Sequence, residues 1–156
     1  MRIVAPVKTA IELEREADAA KRRDAEAAAE AAQLERDTFL LRRYSSVEDI
    51  ASARNRSVRE LEIRIAILNS QRETLAGQLS EHNAKLALRG EPASQYELDT
   101  VAALKAEINS LNDAVDGRRQ QAAALTQAYG RDITRFSELE EVVALRQQMS
   151  VNQTSP

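Results

Sequence analysis

The residue best suited to metal binding or acid–base chemistry is His82, the single histidine of the chain, which lies between Glu81 and Asn83. A transition-metal site needs several nitrogen, sulfur or carboxylate ligands, and His82 has no second ligand type nearby. No serine is spaced to form a nucleophile and base pair with it, and the chain has no cysteine. We therefore interpret His82 as a polar residue on a helix seam or as a cation near a helix end.

Charged clusters are the remaining candidates for chemistry. The sequences KRRD, LRRY and RNRSVR, at residues 21–24, 41–44 and 54–59, could contact phosphate groups. Acidic residues surround these clusters, however, and the formal net charge of the chain is −3. The adjacent carboxylates Glu140 and Glu141 face outward on a helix with no pocket to raise a pKa. The sequence therefore predicts no enzyme, no cofactor, no metal site and no nucleic-acid partner.

The elements that carry these residues are helical by composition. The chain is 43% hydrophobic and 30% charged but only 3% aromatic, and alanine, leucine, glutamate, arginine and glutamine dominate it. This composition is typical of long helices and coiled coils. No run approaches the roughly 18 to 20 apolar residues that a membrane-spanning helix requires. The predicted fold class is all-α, without a membrane span.

Three helix starts and one turn divide the chain. Thr9 with Glu12, Ser46 with Asp49, and Ser94 with Glu97 each place a hydroxyl three residues before a carboxylate, as capping boxes and their close relatives do. Gly90 can end a helix in a left-handed conformation, and Pro92 prevents its simple continuation. We expect a kink at about residues 45–46 and a chain reversal at residues 90–94.

Apolar residues between these points recur at alternating steps of four and three, from Val47 to Leu86 and from Val101 to Val143. This period of 3.5 residues predicts a left-handed coiled coil, and a short turn makes neighbouring helices antiparallel. We predict an antiparallel helical hairpin over residues 46–148, in which paired residue numbers total about 184. An Ala-rich charged helix over residues 9–44 precedes the hairpin, continuing it or kinked against it, and residues 1–8 and 149–156 form flexible tails.

Polar residues interrupt the predicted seams. The hairpin brings Arg54 close to Tyr129 and Asp132, and we predict that this group fixes the register of the two helices. The alternative is that both charges extend into solvent.

Self-association is predicted at two places. Ile63 and Ile67 lie one turn apart at outer heptad positions, where lysine or glutamate is usual. The Ala-rich helix also carries a stripe with no partner inside the hairpin, and this helix either stays solvated or pairs with another chain. Its candidate contact residues, which we call the α1 stripe, are Leu13, Ala17, Ala20, Ala27, Ala31 and Leu34.

Residues 7–143 also resemble the helical C-terminal part of an uncharacterised family of exported proteobacterial proteins with a small N-terminal β domain. The first resembling stretch comprises Asp37, Leu40, Leu41, Tyr44, Ser45, Asp49, Ile50, Ala53 and Arg54. The second comprises Asp132, Ile133, Arg135, Phe136, Glu138 and Leu139, and VKTAIELE resembles the segment that links the two domains. The resemblance implies a periplasmic or envelope location and no assigned activity. The signal peptide and the β domain of that family are not present, so we expect part of a longer protein, with the cytoplasm as the alternative location.

Two functions follow from the sequence. The first is a structural or interaction module that acts as a spacer, scaffold or oligomerisation element, with a dimer or larger assembly expected. The second is an adaptor or regulator that binds one specific protein partner through the basic clusters. Salt dependence separates them, because association through apolar seams survives half-molar salt and a charge-led contact does not.

Overall fold

The computed structural model describes residues 7–154 and contains three α-helices in that range. They are α1 (Ala10–Arg43), α2 (Val47–Arg89) and α3 (Gln95–Thr154). No strand occurs in the described residues. The predicted all-α class is confirmed. Residues 1–6 and 155–156 of the two predicted tails lie outside the described residues. Residues 149–154 of the second predicted tail are helical, because α3 continues past Gln148 to Thr154.

Local side-chain chemistry accounts for the helix starts. Thr9 Oγ1 accepts a hydrogen bond from the Glu12 backbone N–H, and the Glu12 carboxylate accepts one from the Thr9 N–H, which completes a capping box. Ser46 Oγ accepts from the Asp49 N–H, and Ser94 Oγ accepts from the Glu97 N–H, both at 3.2 Å. All three predicted starts are confirmed.

The two interruptions between helices differ in geometry. Gly90 ends α2 with φ of 71°, the left-handed conformation that glycine adopts without steric cost. Tyr44 and Ser46 are both extended, so α1 ends at Arg43 and α2 begins afresh at Val47. The interruption at residues 44–46 is therefore a break in the helix and not a mild kink, because none of these three residues is helical.

The chain forms two compact units. Unit 1 contains α1 and the part of α3 from Arg135 onward, and unit 2 contains residues 46–134. Unit 1 buries Leu40, Phe136 and the carboxylate residue Asp37. The buried apolar residues of unit 2 are Ile50, Ala53, Leu61 and Val115.

Exposure in unit 2 follows the predicted spacing. The less exposed residues of α2 and α3 recur at steps of three and four and include the predicted stripe positions Leu61, Ile65, Leu68, Arg72, Leu75, Leu79, His82 and Leu86, and Val101, Leu104, Ile108, Leu111, Val115, Arg118, Ala122 and Leu125. Each helix of unit 2 thus turns one face away from solvent.

Candidate functional site

Three polar contacts join α2 to α3 in unit 2. The Ser57 and Tyr129 hydroxyl oxygens are 3.2 Å apart. Arg72 Nη1 donates to Asn112 Oδ1 at 3.0 Å. Beside the turn, Arg89 donates two hydrogen bonds to the Glu97 carboxylate, at 2.9 and 2.7 Å.

The Arg89–Glu97 pair also shifts the ionisation of both groups. The hydrogen bonds from Arg89 lower the pKa of Glu97, since they stabilise its charged form. The same bonds raise the pKa of Arg89. The Arg89 side chain is 42% exposed and the Glu97 side chain 19% exposed, so water screens part of the attraction between their charges.

The predicted register group is only partly assembled. Tyr129 lies against α2, but its hydroxyl pairs with Ser57, and Arg54 Nε donates to the neighbouring Asn55 Oδ1 at 3.2 Å. Within residues 7–154 no ion pair joins Arg54 to Asp132. The register role of Arg54 therefore stays a prediction.

Unit 1 contains a charged cluster that the sequence did not single out as a pair. Arg135 donates from Nε and Nη2 to the two carboxylate oxygens of Asp37 at 2.8 and 2.7 Å, and from Nη1 to Glu138 at 3.0 Å. Gln33 Nε2 also donates to Asp37, at 2.8 Å. The Asp37 side chain is only 12% exposed, so this two-pronged ion pair is partly shielded from water.

The Arg135 hydrogen bonds dominate the ionisation of this cluster. They lower the pKa of Asp37 despite the opposing effect of burial, and the Gln33 bond acts in the same direction. The carboxylate in turn raises the pKa of Arg135.

The Asp37–Arg135 pair joins residues that lie 98 positions apart in the sequence. The sequence named both residues only in the resembling stretches and did not predict that they pair. Opposite charges are visible in a sequence, but which of them meet depends on the offset and rotation of the helices that carry them.

The candidate self-association residues are on the surface. All six residues of the α1 stripe are exposed, and between Val7 and Ala31 only Ala19 is partly covered. Ile63 and Ile67 are 54% and 53% exposed. Both sets of residues are therefore accessible, and self-association through them stays a prediction.

A groove between α2 and α3 in unit 2 was not expected from the sequence. Its lining residues, which we call the arginine groove, are Ser57, Glu60, Leu61, Arg64, Arg118, Gln121, Ala124, Leu125, Ala128 and Arg131. The cavity volume is about 660 Å³. Small and apolar side chains form much of the lining, and three arginines accompany them.

A second surface combines basic and apolar residues on α1. A shallow cavity of about 670 Å³ in unit 1 is lined by Leu34, Glu35, Thr38, Phe39, Arg42 and Arg43. The Arg43 guanidinium carbon is 5.5 Å from the centre of the Phe39 ring, a cation–π distance. The basic cluster at residues 41–44 is thus continuous with an exposed aromatic side chain.

His82, Glu140 and Glu141 are the residues considered for metal binding or acid–base chemistry. His82 is partly covered, and its Nε2 atom is buried without a hydrogen-bond partner among the described residues. Glu140 and Glu141 are both exposed, in the last part of α3. In residues 7–154 no three histidine or carboxylate side chains converge as a metal site would require. In the same range, no helix is apolar over enough of its length to span a bilayer.

Comparisons with protein-family models, curated proteins and solved structures give no match to this chain. The resemblance to an exported proteobacterial family is therefore wrong, since no family model matches and the described residues contain no strand. Most of the resembling residues lie in α1, α2 and α3, and helical segments of similar composition occur in unrelated proteins. The periplasmic or envelope location that rested on this resemblance loses its support.

Proposed function

We propose that the protein is a non-enzymatic structural and interaction module. Unit 2 is an antiparallel helical hairpin with coiled-coil packing, and α1 is an arm that binds another protein chain. The module acts as a spacer, scaffold or oligomerisation element, and self-association to a dimer or larger assembly is its main interaction.

The hairpin is supported by the contacts between α2 and α3. They join residue 57 to 129, 72 to 112 and 89 to 97, so the numbers of each pair total 184 or 186. A constant total over such a length is what two antiparallel helices in one register produce. The half-covered residues at steps of three and four support coiled-coil packing of the same two faces.

The interaction role rests chiefly on the exposure of α1. This helix has 34 residues and a complete capping box, yet almost every residue up to Ala31 is exposed. Isolated helices are only marginally stable in water, and most helices in proteins gain their stability by packing an apolar face. An arm with a regular stripe of small apolar residues gains that stability when a second helix covers the stripe.

A second function is favoured by the surface around Phe39. The basic residues Arg42 and Arg43 there adjoin exposed Leu34 and Phe39, a mixture of arginine and aromatic groups that occurs in protein-binding hot spots. On this reading the chain is an adaptor that holds one specific acidic protein partner. The two functions predict different behaviour of the purified chain: the scaffold associates with itself, whereas the adaptor requires its partner.

Sedimentation of the purified chain tests the proposal. Self-association should increase with protein concentration and persist in about 0.5 M NaCl, because apolar contacts are not screened by salt. A single monomeric species at high concentration in both low and high salt would remove the oligomerisation role. Chain-specific capture of an acidic protein, lost at high salt, would then support the adaptor.

A further inference from the structure

The arginine groove carries an excess of positive charge. Arg64, Arg118 and Arg131 line it, and Glu60 is the single acidic residue in the lining. In the described part of the chain none of the three arginines forms an ion pair, and Arg118 donates only to the neutral Gln121. Guanidinium groups beside apolar surface favour a ligand that supplies carboxylates as well as apolar contacts.

The floor of the groove suits a helix with small side chains. Leu61 and Leu125 provide apolar surface, while Ala124, Ala128 and Ser57 leave room for close approach. Arg118 and Arg131 are 13 positions apart on α3, which corresponds to about 20 Å along the helix axis. An occupant that meets both arginines is therefore a helix or an extended segment, and not a small molecule.

The α1 stripe has the complementary properties. Its six residues are leucines and alanines, and all six are exposed. Asp24 interrupts the stripe, and Glu30 lies beside it, one turn from Ala27 and Leu34. The segment 17–31 contains four acidic residues and the three basic residues Lys21, Arg22 and Arg23, so it is acidic by one charge. The segment from Ala17 to Ala31 is about 21 Å long as a helix, which matches the distance between the two ends of the arginine groove.

We propose that α1 of a second copy of this chain docks into the arginine groove, with Asp24 and Glu30 facing its guanidinium groups. This inference rests on the proposed self-association and names the two surfaces that meet. The stripe and the groove floor supply apolar burial, and the charges select the partner and its register. Because the two surfaces differ, the contact either closes as a symmetric pair or continues into larger assemblies.

Charge reversal on each surface tests the pairing. The groove variant is Arg64→Glu with Arg118→Glu, and the arm variant is Asp24→Lys with Glu30→Lys. Sedimentation should show self-association weakened at least about 100-fold in either variant, because attraction becomes like-charge repulsion. An equimolar mixture should restore association, since the reversed groove then meets the reversed arm and the two unaltered surfaces also meet.

A matched control lies on another groove of unit 2. Arg59 lines that groove and the exposed Arg56 lies one turn before it on α2, so Arg56→Glu with Arg59→Glu makes the same change in net charge away from the proposed contact. This control should associate like the wild-type chain, and circular dichroism should show equal helicity for all variants.

The possible results distinguish a failure of the docking proposal from a failure of the proposed self-association. A wild-type chain that stays monomeric overturns both. A wild-type chain that associates while both variants associate equally well overturns the docking alone and leaves Ile63 and Ile67 as the contact. Loss of association in each variant without restoration in the mixture also overturns the docking.

Discussion

The two phenylalanines of the chain offer a matched test of the packing in unit 1. Phe136 on α3 is 3% exposed, whereas Phe39 on α1 is 55% exposed. Both residues are helical, so replacing either by alanine changes intrinsic helix propensity by the same amount. The difference between the two variants therefore measures burial.

The magnitude follows from these exposures. Phe136→Ala removes a nearly fully buried ring and leaves a cavity, which lowers the free energy of unfolding by about 3 to 5 kcal/mol. Phe39→Ala leaves no enclosed cavity and loses a half-exposed ring with its Arg43 contact, for a loss of about 1 kcal/mol. A difference of about 3 kcal/mol corresponds to about 6 to 12 °C in melting temperature for a chain of this length.

Circular dichroism at the helical band, followed during heating and urea titration, measures this difference. If the two units unfold separately, the transition that Phe136→Ala shifts is that of unit 1. Helicity at low temperature should be unchanged in both variants, which confirms that they fold. Equal melting temperatures for the two variants would show that the Phe136 environment is not a packed core and would refute the reasoning.

Three further predictions concern substitutions at single positions. Gly90→Ala should lower the free energy of unfolding by about 1 kcal/mol, because alanine is strained at the positive φ of this position. Gly77→Ala should raise the free energy of unfolding by about 1 kcal/mol, because alanine is the better helix former in mid-helix. Urea titration measures both variants, and equal effects would contradict this prediction. The pKa of Asp37 is lowered below its ordinary value of 3.8, so its stabilising contribution is complete above that pH and is lost as the pH falls through the lowered value. Acid titration of stability should consequently be shallower in Asp37→Asn, and an unchanged profile would exclude this role. If Arg54 fixes the register, Arg54→Leu should alter melting or produce mixed oligomeric states in sedimentation, and a variant that does neither rules the role out.

The sequence by itself determined where the helices begin and where the chain turns. Thr9, Ser46 and Ser94 satisfy backbone N–H groups within three residues, and Gly90 adopts its left-handed conformation without any distant contact. The recurrence of apolar residues at steps of three and four likewise identified the helix faces of unit 2 that are turned away from solvent, because this periodicity is a property of each helix alone.

Only the tertiary structure decided which polar groups meet. Arg135 pairs with Asp37 across 98 positions of sequence, and Tyr129 pairs with Ser57 rather than with Arg54. Such pairs depend on the offset and rotation of one helix against another, which no helix specifies alone. The arginine groove also depends on the tertiary structure, because residues of both α2 and α3 line it and neither helix forms it alone. Local hydrogen bonding thus fixes the ends of the helices, while packing between helices selects the side-chain pairs and the surfaces left for a partner.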